Sequence, residues 1–122
     1  MKVLADTSIW IDHFRRVDAR LAGLLDHGDI VIHPFVIGEL LLGSVSKVSA
    51  MLNNLNRLPK ATIASNDEVL GLIVRRKLSG LGIGYVDAHL LAAARLTAGA
   101  ELWTRDNGLR SVAEALGLAM AS

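Results

Sequence analysis

No cysteine occurs in the 122 residues of this chain, which excludes a disulfide scaffold, thiolate zinc sites and a cysteine nucleophile. Nor does any apolar run approach the roughly 18 residues that suggest a membrane span. Met1 and Lys2 lead at once into VLA. Without a basic n-region and a long apolar stretch behind it, no secretory signal is expected. Charge of one sign is lacking too. Thirteen Lys and Arg stand against 12 Asp and Glu, a formal net charge of +1, so there is no global electrostatic footprint for nucleic acid. What is plentiful is apolar: 52% of the residues are hydrophobic and 20% charged, a balance that excludes disorder. The expectation is one domain over residues 1–122, soluble and cytoplasmic, large enough to bury a core.

Along the chain, strand-like and helix-like segments alternate. KVLA reads as a short buried strand and SIWIDHFRR as a helix with Ser8 as its cap. A second helix runs from Asp18 to His27 and stops at Gly28, followed by the strand DIVIH. Pro34 suits a first helical turn, and FVIGELLLG continues that helix to Gly43. Ser46 opens another helix, closed by Pro59, and KATIA is a weakly patterned third strand. The segment SNDEVLGLIVRRKLSG starts with a cap and first-turn acids and reads as a helix. LGIGY is a glycine-punctuated loop into the helix DAHLLAAARLTAG; ELWT is a strand, NGLRSVAEALG a helix and LAMA a final edge strand. Short apolar strands separated by helices imply an α/β fold, a parallel sheet covered on both faces.

Four carboxylates fall where strands give way to helices: Asp6 after KVLA, Glu39 in PFVIGELLLG, Asp87 in GYVDAHLLAAA and Asp106 after ELWT. In parallel sheets, ligands bind beyond the carboxyl ends of the strands, near helix N-termini, so four acids far apart in sequence can meet on one rim. Each has an ordinary structural alternative. Asp6 and Asp87 suit helix starts, and Asp106 before Asn107 and Gly108 suits a turn. Glu39 is harder to dismiss, being the single charge amid Val36, Ile37, Leu40, Leu41 and Leu42. A carboxylate in apolar surroundings needs a partner, and the one basic residue in these segments is Arg105.

Clustered acids favour an oxygen-liganded ion such as Mg²⁺ or Mn²⁺. His13, His27, His33 and His89 show no zinc-binding spacing; all four are read as structural or surface residues, His89 with an outer-shell role at most. Trp10 and Phe14 are four apart on the first helix and read as core, or as part of a partner-binding patch with Leu40 to Leu42. Arg15 with Arg16, and Arg75, Arg76 and Lys77, read as solvated helix faces.

The segments ADTSIWID, GELLLGS, GYVDAHLLAAA and LWTRDNGL, in that order and on the expected elements, resemble the successive motifs of PIN-domain ribonucleases, particularly VapC-type toxins. The resemblance covers essentially the whole chain. It implies a three-layer α/β/α domain with a central, mostly parallel sheet of about five strands. It implies RNA cleavage dependent on Mg²⁺ or Mn²⁺, and a homodimer held by a cognate VapB-type antitoxin. Carried over residue by residue, Asp6, Asp87 and Asp106 hold the metal, Glu39 ligates it directly or through water, and Ser8 and Thr104 are accessory hydroxyls. A housekeeping RNA-processing nuclease of the same family is the nearest alternative. A phosphorelay receiver domain ranks below it, since Ala5 precedes a lone Asp6 and ELWT leads to Arg105 instead of a lysine. A non-catalytic scaffold is disfavoured by the complete set of acids.

Overall fold

The computed structural model describes residues 1–43 and 48–121. The strands are β1 (Lys2–Ala5), β2 (Ile30–Val31) and β3 (Ala100–Trp103). Helices α1 (Thr7–Arg15) and α2 (Ala19–Asp26) follow β1, and α3 (Pro34–Leu42) and α4 (Val48–Arg57) follow β2. Then come α5 (Asn66–Arg75), α6 (Tyr85–Leu96) and, after β3, α7 (Asn107–Ala115). Ser46, expected to open a helix, and Ser44 of GELLLGS lie outside the described residues. No helix among the described residues is long and apolar enough to cross a membrane.

The sheet is parallel, in the order β2-β1-β3, with Val3 opposite Ile30 and Ala5 opposite Trp103. Val3, Leu4 and Ala5 are each wholly buried. Successive strand side chains point to opposite faces, so both faces of β1 are covered. Two of the five expected strands shrink to single bridges on the outer edges. KATIA contributes Lys60 opposite Ile32, and LAMA contributes Ala119 opposite Leu102. KATIA stops early because the next ladder bond, to the carbonyl of Ala61, would need an N–H from Pro34, which has none and already begins α3. The N–H of Thr62 faces the other way and goes to Thr97 Oγ1 at 2.8 Å.

Helix ends show clear local causes. Helices α2, α5 and α7 finish in the same doubly bonded turn: Asp29 N to Leu24 O, Leu78 N to Ile73 O, and Leu118 N to Ala113 O, each with a second, shorter loop inside it. The left-handed residue in that turn is Gly28 (φ 70°) in α2 and Gly117 (φ 71°) in α7, but Lys77 (φ 56°) in α5. Helix α5 therefore ends at Arg75, short of the expected Gly80, because Lys77 takes the conformation that glycine usually supplies. At the start of α1 the cap is Asp6, not Ser8. At α3 it is His33, whose Nδ1 accepts the Phe35 N–H at 3.0 Å.

Trp10 is 2% exposed and belongs to the core with Leu4, Ile9 and Leu21. It is thus unavailable to a partner, contrary to the patch alternative; a helix this close to the sheet buries its innermost ring. The apolar residues that do reach solvent on α3 are Phe35, Leu41 and Leu42.

Candidate active site

Asp6 follows β1 directly and caps α1, and the sharp turn between them leaves the residue 6% exposed. Its Oδ1 accepts from Ser8 N at 3.0 Å, Ile9 N at 3.4 Å and Ser8 Oγ at 2.5 Å. Its Oδ2 accepts from the hydroxyl of Thr104, on the residue after β3. Burial pushes the Asp6 carboxyl above the usual range, against the lowering effect of these donors.

Thr104 is the hub that joins the strand ends. Its oxygen also accepts from Asp106 N at 3.0 Å, while Arg105 N donates to Ser8 Oγ at 3.0 Å. Asp106 in turn caps α7, accepting Leu109 N at 2.9 Å on Oδ1. The expected accessory hydroxyls thus lie against Asp6, and the expected turn residue is a helix cap.

Asp87 sits in the first turn of α6, which starts at Tyr85, two residues earlier than the sequence suggests. Its Oδ2 accepts the Gly84 N–H at 3.1 Å. Burial raises its pKa most; the Gly84 bond opposes that, and the negative charges of Asp106 and Glu39 raise it further. Those last two causes place Asp106 and Glu39 each within electrostatic reach of Asp87. Glu39 itself is exposed, which corrects the expectation of a carboxylate in apolar surroundings. Helix α3 turns Val36, Ile37 and Leu40 inward and leaves Glu39 on the outer face. Gly38 beside it has open space, not a close neighbour, around its missing side chain.

One residue the sequence reasoning missed is Thr7, whose hydroxyl donates to Glu39 Oε1 at 2.6 Å and so ties α3 to the start of α1. Its place between Asp6 and Ser8 was the available signal. Arg105 points elsewhere: it pairs with Asp12 at 3.1 Å and Asp18 at 2.8 Å and lies over the Trp103 ring. It neither neutralises the four acids nor faces them. Among the described residues, no lysine or arginine forms an ion pair with Asp6, Glu39, Asp87 or Asp106.

The histidines have structural settings. His13 accepts Asp18 N, His27 bonds Gly23 O, His33 caps α3, and His89 is buried against Phe35 and Tyr85. Among the described residues, no three or more acids or histidines stand close enough together to hold a metal ion as they are placed. The donor chemistry nevertheless fits an oxygen-liganded divalent ion. Asp6 is linked to Asp106 through Thr104 and to Glu39 through its neighbour Thr7, and none of the four acids has a cationic partner among the described residues. Burial raises Asp6, and burial with the charges of Asp106 and Glu39 raises Asp87. A cavity of about 370 Å³ between α5 and α6 is lined by Glu68, Arg75 and Arg95 among others and by none of these acids.

The family model described as PIN domain matches residues 3–115. Two curated relatives, each named Ribonuclease VapC32, come from Mycobacterium tuberculosis strains CDC 1551 / Oshkosh and ATCC 25618 / H37Rv. Each is 45% identical over 119 residues, covering 98% of this chain and 96% of the relative. The arrangement of acids at the strand ends and the near full-length identity lead to the same place: the chain belongs to the PIN-domain family, among its VapC-type ribonucleases.

Proposed function

We propose that this chain is an endoribonuclease dependent on Mg²⁺ or Mn²⁺, acting as a toxin that a cognate VapB-type antitoxin silences, and working as a homodimer. The observation that carries the reading is a rim of four acids without a counter-cation, in a chain nearly half identical to proteins named ribonuclease. Asp6, Asp87 and Asp106 would hold the ion, with Glu39 ligating it directly or through water. The bound ion supplies a lowered water pKa and charge stabilisation at the scissile phosphate.

The chain's own residues prepare the site for that chemistry. Ser8 and Thr104 fix both oxygens of Asp6, so the carboxylate holds its orientation before any substrate arrives. Thr104 also fixes the Asp106 backbone, which links the two strand ends in one unit. Thr7 holds Glu39 at the edge of the rim. Gly84 holds Asp87 from the opposite side. Hydrolysis places a water oxygen on phosphorus and a proton on the departing ribose oxygen. Exposed Leu41 and Leu42 on the helix that carries Glu39 give an antitoxin apolar surface beside the acids.

Purified protein should cut unpaired RNA with Mg²⁺ or Mn²⁺ and stop on addition of EDTA. Undiminished cleavage in EDTA would sink the metal assignment. Expression of the chain alone should arrest growth, and co-expression of the adjacent antitoxin should restore it. Normal growth with soluble wild-type protein present would remove the toxin role and leave a nuclease of another purpose.

A further inference from the structure

A cavity of about 190 Å³ opens at the start of α6, next to the acids yet lined by none of them. Ile73, Leu78, Ile83 and Ala88 make it apolar, and the ring of Tyr85 forms one wall. That ring is 47% exposed. Behind it His89 packs edge-on at 4.7 Å, and Phe35 packs on His89 at 4.7 Å. The Tyr85 hydroxyl donates to Asn66 Oδ1 at 3.3 Å. A braced, half-exposed aromatic face beside an apolar slot suits a flat ring.

The rest of the wall is backbone from the glycine-rich loop, including Ser79, Gly80 and Gly84. Among the described residues, no hydrogen bond within the protein engages the N–H of Ser79, Gly80 or Ile83. Three residues of the lining thus carry backbone N–H groups without a partner in the protein. Two further observations fix the occupant. Gly84 both lines the cavity and donates to Asp87 at 3.1 Å, so one residue joins the cavity wall to the acid rim. Arg76 and Lys77, immediately before Leu78, are exposed and, among the described residues, in no ion pair, a charge complement to a phosphate strand.

We propose that this cavity receives an unpaired nucleobase of the RNA, adjacent to the phosphate held at the acids, with Tyr85 as its stacking wall and Arg76 and Lys77 on the neighbouring phosphates. The assignment rests on the nuclease reading and adds to it the subsite that selects unpaired RNA. Single strands are held this way elsewhere: aromatic faces take bases and a basic track takes the backbone.

The test is binding of short labelled homopolymers of U, C, A and G to the full chain in EDTA, where cleavage does not intervene. Wild-type protein should bind at least one of them. Stacking is worth about 1–3 kcal/mol per base, so Tyr85→Ala should weaken that binding about tenfold or more, while Tyr85→Phe retains it. Arg76→Gln and Lys77→Gln should each reduce the salt slope by about one unit or slightly less. Thermal melting of each variant confirms folding. Equal affinity of Tyr85→Ala and wild type overturns the proposal, as does wild-type protein that binds no homopolymer or binds an abasic strand equally well. Protection of Tyr85 by a co-expressed apolar antitoxin segment, with no protection by RNA, also overturns it. Tyr85-dependent binding without cleavage in Mg²⁺ or Mn²⁺ refutes the nuclease reading and leaves the base site standing.

Discussion

Asp6 and Asp87 are both raised above the ordinary carboxylate range, yet they answer differently to the same change. Asp6 is surrounded by four donors on two oxygens. Asp6→Asn sets an amide N–H against one of them, a mismatch that costs about 1–3 kcal/mol. Asp87 accepts a single backbone N–H, which the amide oxygen of Asn can still accept, and the change removes repulsion from Asp106 and Glu39. Asp87→Asn should therefore melt at or above the wild-type temperature, and Asp6→Asn below it. Both should lose more than about 100-fold in RNA cleavage, beyond the usual loss for an outer partner. Parental cleavage by either would remove that residue from the site.

His33 sets a pH dependence of opposite sign to these acids. It is buried, and its pKa is lowered from 6.5 to about 4 by desolvation and by the nearby His89. Its Nδ1 must stay unprotonated to accept the Phe35 N–H. The unfolded chain takes up this proton near 6.5 and the folded chain only near 4, so stability is full above that window and falls as pH drops through it. The buried acids behave in the reverse sense: raised folded values favour protonation in the fold, a contribution present at low pH and lost as pH rises. Denaturant unfolding from pH 7 to 4 should show a loss of up to about 3 kcal/mol in wild type. His33→Asn, which keeps a cap acceptor, should flatten it. An unchanged profile would place the acid sensitivity elsewhere.

At the scale of the elements, the three matched helix ends make an internal comparison. Gly28 and Gly117 occupy the left-handed position in α2 and α7 at little cost, whereas Lys77 occupies it in α5. Lys77→Gly should stabilise the protein by about 1 kcal/mol, read as a higher denaturation midpoint with unchanged slope. No gain would mean that the Lys77 side chain compensates through its own contacts. Ser65→Ala, which breaks a reciprocal cap with Glu68, should cost about 1 kcal/mol.

Those ends also mark what could be read in advance. Helix ends with a local signal were legible: the starts at Ser65 before its acids and at Pro34, and the stop at Gly28. The end of α5 was not, since Gly80 offers the usual stop and nothing local announces a left-handed lysine. KATIA failed as a strand for a cause on its partner, where Pro34 offers no N–H to continue the ladder beyond Ile32. The acids were found because they stand at strand ends. Their hydroxyl supports were legible only in part: Ser8 and Thr104 adjoin acids in a strand-end motif, while the bond from Thr7 to Glu39 spans 32 residues.

For the molecule as a whole, an ion that binds the folded chain and not the unfolded one adds stability by mass action, about 2.7 kcal/mol at a hundred times its dissociation constant. Melting should rise with added Mn²⁺ or Mg²⁺ in wild type and rise much less in Asp87→Asn. A uniform rise in both would mean ions bound elsewhere. The sheet margins carry a different consequence. Ile32 is already bonded to Pro59 O and Ala61 N, and Leu102 to Leu118 O and Met120 N. A fibril grows by adding strands to a free margin, and here the outermost segments are single bridges, one of them formed by a lysine that directly follows a proline. Concentrated or gently heated protein should accordingly deposit, if at all, as amorphous material that binds no amyloid dye.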